Sequence, residues 1–340
     1  MAVDVSIVAS NFCNVMVFTL LVGTLTQALL VEWCGDAADD SWWGSFAFVT
    51  PMMVLVFVFP PSLIRHFSNL RWLAVTCFVA IVAVVMLVIV AGPFYRGNYD
   101  EDSGIHGAVV WFDWAGSVAK LGSIVFSLAF TVASLHAYTS MFPRTDRTWQ
   151  TVVTWSLVVG LLICYTTGLL GYLYFRDAVD GDILENFSGS VAAVFKAIVI
   201  FHVILLTPSE VVILRHSLFA LREKDVMAAE LAPVVWVTAF VLAAIVGSIV
   251  GLDAVGLTQG DLFGYVVDVT GGVTASATSF VLPGLIYLGA TSDEGLVFDG
   301  GSGRLRYSGY RRACKALIVF GVFVMIMVPI GVVVDIVYGS

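Results

Sequence analysis

The chain has 340 residues, of which 59% are hydrophobic and only 12% charged, with a mean hydropathy of +0.97 and a formal net charge of −9. Soluble domains carry about 25% charged residues, so this composition excludes an ordinary soluble fold. The apolar residues fall in blocks of about 20, the length of a helix that crosses the hydrocarbon core, whereas a transmembrane β-barrel would show short alternating segments. We therefore predict an all-α membrane protein.

Nine apolar blocks predict nine membrane spans, which together form one transmembrane domain over residues 1–340. In chain order the spans are 5–31, 44–60, 72–91, 118–142, 152–175, 191–215, 231–252, 262–290 and 314–338. The longest connections, 93–117 and 291–313, are rich in glycine and charge and are expected to lie in solvent. The five cysteines form no C-x-x-C pair and no cluster with histidine, so neither a disulfide framework nor a metal site is expected.

The charges of the loops predict the orientation in the membrane. Four alternate loops, with the ends of the spans beside them, hold twelve of the 16 lysines and arginines, and the other four loops are acidic. Because basic loops stay on the cytoplasmic side, the N-terminus is predicted inside and the C-terminus outside or lumenal. The outward loop that precedes the sixth span carries the sequon Asn186-Phe187-Ser188, which predicts either N-glycosylation of Asn186 or no more than a chance tripeptide.

The sequence lacks the motifs of several function classes. There is no G-x-x-x-x-G-K-[ST] loop for an ATP-driven pump, no arginine ladder for a voltage sensor and no T-V-G-Y-G potassium filter. No His-rich box or intramembrane aspartate pair indicates an enzyme, and no catalytic residue is predicted. The expected partners are the lipid bilayer and a small molecule, not a nucleic acid.

Polar residues crowd the middle of the fourth span. They are Ser127, Thr131, Ser134, His136, Tyr138, Thr139 and Ser140. Small hydroxyl residues can hold helices together, but such a density also fits a discontinuous helix whose freed backbone groups bind a substrate. His136 is either a proton carrier or a hydrogen-bonded packing residue.

The sixth span combines Thr207, Pro208 and Ser209, where the proline frees a carbonyl one turn earlier and the hydroxyls add oxygens. This pattern predicts a cation site, although proline kinks also occur without function. In the same span Lys196 is expected to extend towards the membrane surface, and Glu210 to pair with Arg215.

Two other spans carry polar groups. In the eighth, Asp268 is expected to line an outer vestibule, while its small residues suit close helix packing. In the first, Asn11 and Asn14 are expected to form interhelical hydrogen bonds.

Four stretches, in order along the chain, resemble the amino acid/auxin permease family, which contains the sodium-coupled neutral amino acid transporters. They are residues 126–130 with 138–139 (F-S-L-A-F, then Y-T), 147–153 (R-T-W-Q-T-V-V), 171–175 with 181–186 (G-Y-L-Y-F, then G-D-I-L-E-N) and 279–288 (S-F-V-L-P-G-L-I-Y-L). The resemblance runs from about residue 5 to the end of the chain.

The resemblance implies an eleven-helix transporter whose ten core helices form two inverted five-helix repeats. The nine spans then correspond to its third to eleventh helices. The family's G-x-G-I-L-x-L-P-x-A-F motif of the first helix does not occur, so we expect the sequence to be N-terminally truncated. The sodium ligand that the family implies falls on Leu206, one place before Thr207, which favours H⁺ over Na⁺ as the coupling ion.

These observations predict a secondary transporter of amino acids, a cation symporter with no cofactor beyond H⁺ or Na⁺. By the resemblance Thr131, Ser134 and Tyr138 face the substrate, Thr207 and Ser209 lie near the coupling cation, and His136 is the proton candidate. The membrane is expected to be the plasma membrane or a vacuolar or lysosomal one. The alternative is a non-transporting sensor or degenerate member of the family; a channel or a membrane-embedded enzyme is less favoured.

Overall fold

The computed structural model describes residues 2–35, 37, 41–64, 71–102, 114–129, 134, 137–139, 141–143, 145–176, 179, 182–187, 189–222, 230–254, 259–290 and 308–338. Within these ranges all regular secondary structure is helical, which confirms the all-α fold class. The main helices are α1 (Ala2–Cys34), α2 (Phe46–Ser62), α3 (Arg71–Asp102), α4 (Trp114–Ala119), α5 (Leu121–Leu128), α6 (Asp146–Phe175), α7 (Gly189–Ala220), α8 (Leu231–Asp253), α9 (Gln259–Val269), α10 (Leu282–Ala290) and α11 (Ser308–Tyr338).

Seven helical stretches in this part of the chain are long and apolar enough to cross a membrane: α1, α3, α6, α7, α8, the run from α9 to α10, and α11. The two other predicted spans are shorter apolar helices, Phe46–Ser62 and Gly116–Leu128. At 1.5 Å per residue, the first is roughly 25 Å long and the second roughly 20 Å, less than the ~30 Å hydrocarbon core. The nine predicted segments are therefore all present as apolar helix, but two of them are short.

Three predicted boundaries differ from the structure. The fourth span was expected to be helical over 118–142, but α5 ends at Leu128 and Ala129 has extended backbone angles (φ −79°, ψ 111°). Helix α3 continues past Pro93 to Asp102, well beyond the predicted end at residue 91. Helix α7 continues to Ala220, so Arg215 lies inside the helix rather than at its predicted end.

Long apolar surfaces remain uncovered by protein. None of the most apolar stretch of α6 is buried, and its residues Trp155, Leu162 and Tyr165 are each more than 60% exposed. Soluble monomers rarely leave such continuous apolar surface in water. These helices match the length and polarity of a bilayer, which supports an integral multi-pass membrane protein.

The chain divides into two compact units, each built from separated segments of sequence. The first unit contains residues 1–10, 112–135 and 267–340, and the second contains 11–111 and 136–266. The inverted repeats that the family resemblance implies stay a prediction.

In the first unit, α5 and α11 pack on a helical run that widens twice, at the π-helical segments Thr270–Ala275 and Ala277–Val281. Small residues allow this close packing: Gly272 faces Val328 and Gly284 faces Ile318, both on α11. The rings of Phe280 and Phe320 meet edge to face, with centroids 5.3 Å apart. Segments of π-helix occur frequently at functional sites, which directs attention to the face of this run that α5 covers.

In the second unit, α7 packs against α3, α2 and α8, and α3 also packs against α6. Its apolar core includes Val22, Leu25, Leu87, Ala193 and Ile200, from α1, α3 and α7. At one end, the ring of Phe187 lies 5.1 Å from that of Tyr95 and 5.3 Å from that of Phe175. This core joins the first half of α7 to α1 and α3.

Candidate functional site

The fourth apolar segment breaks within its polar stretch. Helix α5 has eight residues and ends at Leu128, after which the N–H of Ala129 bonds to Phe126 O in a tight turn at 3.3 Å. The last carbonyls of a helix lack the usual donors four residues on, and at the end of α5 this turn provides one for Phe126 O. The break predicted for this segment as one of two alternatives is therefore present at Ala129.

The predicted substrate residues are described only in part. Thr131 and the proton candidate His136 lie outside the described residues. Ser134 is partly buried and belongs to the first unit. Tyr138, in the second unit, is 37% exposed, and its ring meets that of Trp149 edge to face at 5.2 Å.

The carboxylate of Asp268 is bound at the start of α5. Asp268 is 1% exposed, and its Oδ1 accepts from the backbone N–H of Ser123 at 3.0 Å and from the Ser123 hydroxyl. Its Oδ2 lies 3.0 Å from the ammonium of Lys120. Asp268 was expected to line an outer vestibule; it is instead a buried acceptor for two donors of Ser123 on α5 and for the ammonium of Lys120, the residue before α5.

Two glycines allow this contact. A Cβ added at Gly122 would overlap the backbone of Asp268, and one added at Gly271 would overlap the carbonyl of Gly122. The backbones of α5 and of the π-helical segment Thr270–Ala275 thus touch directly. The small-residue packing predicted for the eighth span is found here.

The second polar group lies in the middle of α7. Thr207 is fully buried and its hydroxyl donates to Val203 O at 2.6 Å, while the hydroxyl of Ser209 donates to Leu206 O at 2.6 Å. Pro208 has no N–H for the carbonyl of Ile204. Both hydroxyls therefore donate to carbonyls of their own helix, and each oxygen keeps acceptor capacity. Among the described residues no group of three or more His, Cys, Asp or Glu is placed to hold a metal ion.

Two neighbours of this group have other partners than the sequence predicted. Glu210 accepts from the amide of Asn14 on α1 at 3.4 Å, which confirms the interhelical role expected of Asn14. Arg215 is 1% exposed, and its guanidinium donates to the carbonyls of Ser62 and Ile64, each at 2.5 Å, and to the Thr238 hydroxyl at 3.0 Å. The guanidinium therefore binds the C-terminal end of α2 and not, as expected, the nearest carboxylate along the helix.

Two further expectations concern the predicted outer side. Lys196 was expected to extend towards the membrane surface, but it is 7% exposed and its ammonium lies 3.8 Å from the carboxylate of Glu32 on α1. Asn186 is 2% exposed at the end of a short 3₁₀ helix, so modification of the folded chain would require that segment to open. N-glycosylation of Asn186 and a chance tripeptide both stay predictions, and the burial of the side chain favours the second.

Sequence reasoning overlooked Lys120 and Ser123 as partners of Asp268. A signal was available, because Lys120 and Asp268 are opposite charges at the predicted outer sides of two apolar spans. Charges in such positions almost always face the protein interior and pair with one another or with backbone carbonyls.

The comparisons with known proteins agree with this picture. A family profile described as transmembrane amino acid transporter protein matches residues 1–334. Solute carrier family 38 member 8 of Mus musculus is 23% identical over 299 residues, which are 82% of this chain and 64% of that protein.

Two related transporters match over shorter stretches. Sodium-coupled neutral amino acid transporter 7 of Xenopus laevis is 25% identical over 214 residues (60% of this chain, 46% of that protein). The Homo sapiens transporter of the same name is 23% identical over 211 residues (60% and 45%). The chain thus spans 64% or less of the length of these relatives. The profile covers nearly all of the sequence and describes transporters rather than enzymes, so the chain belongs to the transmembrane amino acid transporter family.

Proposed function

We propose that the protein is a secondary active transporter of amino acids, a symporter coupled to H⁺ or Na⁺. The observation that carries the proposal is the end of α5 at Leu128, within an apolar segment and followed by the extended Ala129. In hydrocarbon every unpaired backbone group costs several kcal/mol, so irregular backbone is tolerated only where it is buried in protein or lines a polar cavity.

The polarity of this break suits an amino acid. The C-terminal end of a helix carries partial negative charge and attracts a substrate's ammonium group. Hydroxyl groups beyond the break can bind its carboxylate. Thr131, Ser134 and Tyr138 follow the break in sequence, and we assign them to the substrate site. The printed names of the two related transporters make neutral amino acids the first substrates to test.

The middle of α7 is the proposed cation site. Oxygen atoms of Thr207, Ser209 and the carbonyl of Ile204 meet the requirement of a hard cation for oxygen ligands. The position where the family resemblance implies a sodium ligand holds Leu206, which favours H⁺, and His136 remains the proton candidate. Uptake measured with a pH gradient alone and with a Na⁺ gradient alone distinguishes the two candidate coupling ions.

The orientation is part of the proposal. The loop charges support a cytoplasmic N-terminus, in the plasma membrane or a vacuolar or lysosomal membrane. A fluorescent protein fused to the N-terminus should be protected from protease added outside sealed cells or organelles, and its location identifies the membrane. Protease access to it from outside would contradict the orientation.

Uptake of labelled neutral amino acids into proteoliposomes tests the function, with either a pH or a Na⁺ gradient imposed on the natural gene product at full length. We expect gradient-dependent uptake that falls in Ser134→Ala. The matched control is Ser248→Ala, because Ser248 is exposed on α8 and its hydroxyl donates only to Ala244 O of its own helix. Absence of uptake across a broad amino acid panel under both gradients would refute the proposal and favour a non-transporting sensor.

A further inference from the structure

The first turn of α5 contacts Asp268 at the end of α9 and the π-helical segment Thr270–Ala275. The second turn ends at the break after Leu128. The N–H of Ser123 is one of the first donors of α5, which have no partner inside the helix, and Asp268 accepts it from another helix. The residue before α5, Lys120, provides no side-chain cap of its own. Asp268 therefore performs the capping that a local Ser, Thr, Asp or Asn usually performs.

An isolated helix of eight residues is unstable, so the position of α5 depends on its tertiary contacts. The described contacts of its first turn are close and polar: the Gly122–Gly271 backbone approach and the bonds to Asp268. Further along, Ile124 is 52% exposed and Ser127 is also exposed, whereas Val125 is buried and Phe126 lies against Gly271. From Ser123 to Ala129 the helix extends about 9 Å, so a change at Asp268 is transmitted over a short, stiff distance to the break.

We propose that Asp268 is a positioning residue of the transporter, whose carboxylate binds the start of α5 and thereby sets the place of the break at Ala129. The inference rests on the proposed function, because it treats the break as part of the substrate site. Asp268 acts through α5 and is not assigned a contact with the substrate.

Asp268 could restrain α5 through its ion pair with Lys120 or through its hydrogen bonds with Ser123, and the exposures of the side chains distinguish the two. The side chain of Lys120 is 56% exposed and that of Asp268 is 1% exposed, so solvent screens one partner of the ion pair. The N–H and hydroxyl of Ser123 bind the buried Oδ1 directly. Among the contacts of Asp268, the hydrogen bonds therefore restrain α5 more than the ion pair does.

This ordering predicts a graded series of variants. Lys120→Met removes the ion pair alone and should have a small effect. Asp268→Asn keeps an oxygen acceptor for Ser123 and should retain most function. Asp268→Ala removes all three contacts and should have the largest effect. Asp335→Ala is the matched control, since Asp335 is an exposed carboxylate on α11 of the same unit.

Two readouts test the series. The first is the labelling rate of a cysteine introduced at Ala129, measured by mass spectrometry of the peptide that contains it, with a membrane-impermeant maleimide on the permeabilised membrane. This readout does not require transport. The second is KM and maximal rate for uptake in proteoliposomes.

We expect Asp268→Ala to change the labelling rate at residue 129 and to raise KM by about tenfold or more, corresponding to the loss of hydrogen bonds to a charged group. Asp268→Asn and Lys120→Met should stay within about threefold of the parent protein. An unchanged labelling rate in Asp268→Ala would overturn the proposal, as would a Lys120→Met effect equal to that of Asp268→Ala.

If Asp268→Ala does not fold, Ser123→Ala combined with Asp268→Asn weakens the same bonds and is judged by the same criteria. If the parent protein takes up no amino acid, the proposed function fails while the labelling series still decides whether Asp268 positions α5.

Discussion

Replacement of Arg215 by methionine removes a buried cation from the second unit while keeping much of its apolar volume. The partners of Arg215 in the described part of the chain include the carbonyls of Ser62 and Ile64 and the Thr238 hydroxyl, to which the guanidinium donates hydrogen bonds. The substitution leaves two carbonyls at the end of α2 without these donors. Arg215→Lys keeps the charge but replaces a planar fork by a single ammonium, which cannot match both carbonyls equally well.

The cost follows from these contacts. A hydrogen bond to a charged group is worth ~1.5–3 kcal/mol in soluble proteins, but the average inside membrane proteins is nearer ~0.6 kcal/mol. Because these partners of Arg215 are neutral, the substitution leaves no unpaired charge among them, and the cost lies in the two carbonyls that lose a donor, ~1–3 kcal/mol for each when buried. We therefore expect Arg215→Met to lower the free energy of unfolding by about 3 kcal/mol and Arg215→Lys by about half as much.

The assay is reversible unfolding in mixed micelles, in which the fraction of SDS is raised and the helical circular dichroism is recorded. Arg222→Met is the matched control, because Arg222 follows the end of the same helix and is exposed. A double variant with Thr238→Val should lose less than the sum of the single losses, because the two side chains share a hydrogen bond. If Arg215→Met lost no more stability than Arg222→Met, the role assigned to the carbonyl contacts would be wrong.

Three further changes test other contacts. Gly122→Ala should destabilise the protein by about 3 kcal/mol or prevent its folding, because its Cβ would overlap backbone, whereas Gly264→Ala on α9 has open space and should be neutral or slightly stabilising; equal effects in thermal unfolding would contradict the close approach. Lys196→Met should lower the free energy of unfolding by about 1–3 kcal/mol, and adding Glu32→Gln should recover part of that loss. A double variant whose loss of stability equals or exceeds the sum of the two single losses would argue against the ion pair. Because Asn186 is buried, glycosidase treatment should leave the electrophoretic mobility unchanged, and a shift that disappears in Asn186→Gln would show that the sequon is used.

The helices and the break were predictable from local sequence, whereas the partners of buried charges were not. Continuous apolar blocks predicted α6, α8 and α11 closely, because length and hydropathy suffice to identify a membrane span. The polar crowding of the fourth segment pointed to an interruption, which α5 places at Ala129. The residue at which the helix ends depends on contacts between α5 and the π-helical segment Thr270–Ala275, and no local sequence pattern reveals those contacts.

The buried charges show why local spacing fails. Glu210 and Arg215 are only five residues apart on α7, and this short separation is the reason for predicting that they pair. In the structure Glu210 binds Asn14 of α1, and Arg215 binds backbone carbonyls near the end of α2. Similarly, Lys196 has the distant Glu32 as its partner rather than the membrane surface. Which groups meet is decided by how remote helices pack, so the partner remained unknown although the need for one was evident.

The contact between Arg215 and the end of α2 also sets an order for assembly during synthesis. Ser62 and Arg215 are 153 residues apart, so a ribosome adding ~5–20 residues per second completes Arg215 roughly 8–30 s after Ser62. During that interval the last carbonyls of α2 lack the guanidinium that binds them in the folded protein. Helix α2 therefore completes its contacts only after α7 has been synthesised, and a nascent chain that stops between the two helices leaves these carbonyls without this donor.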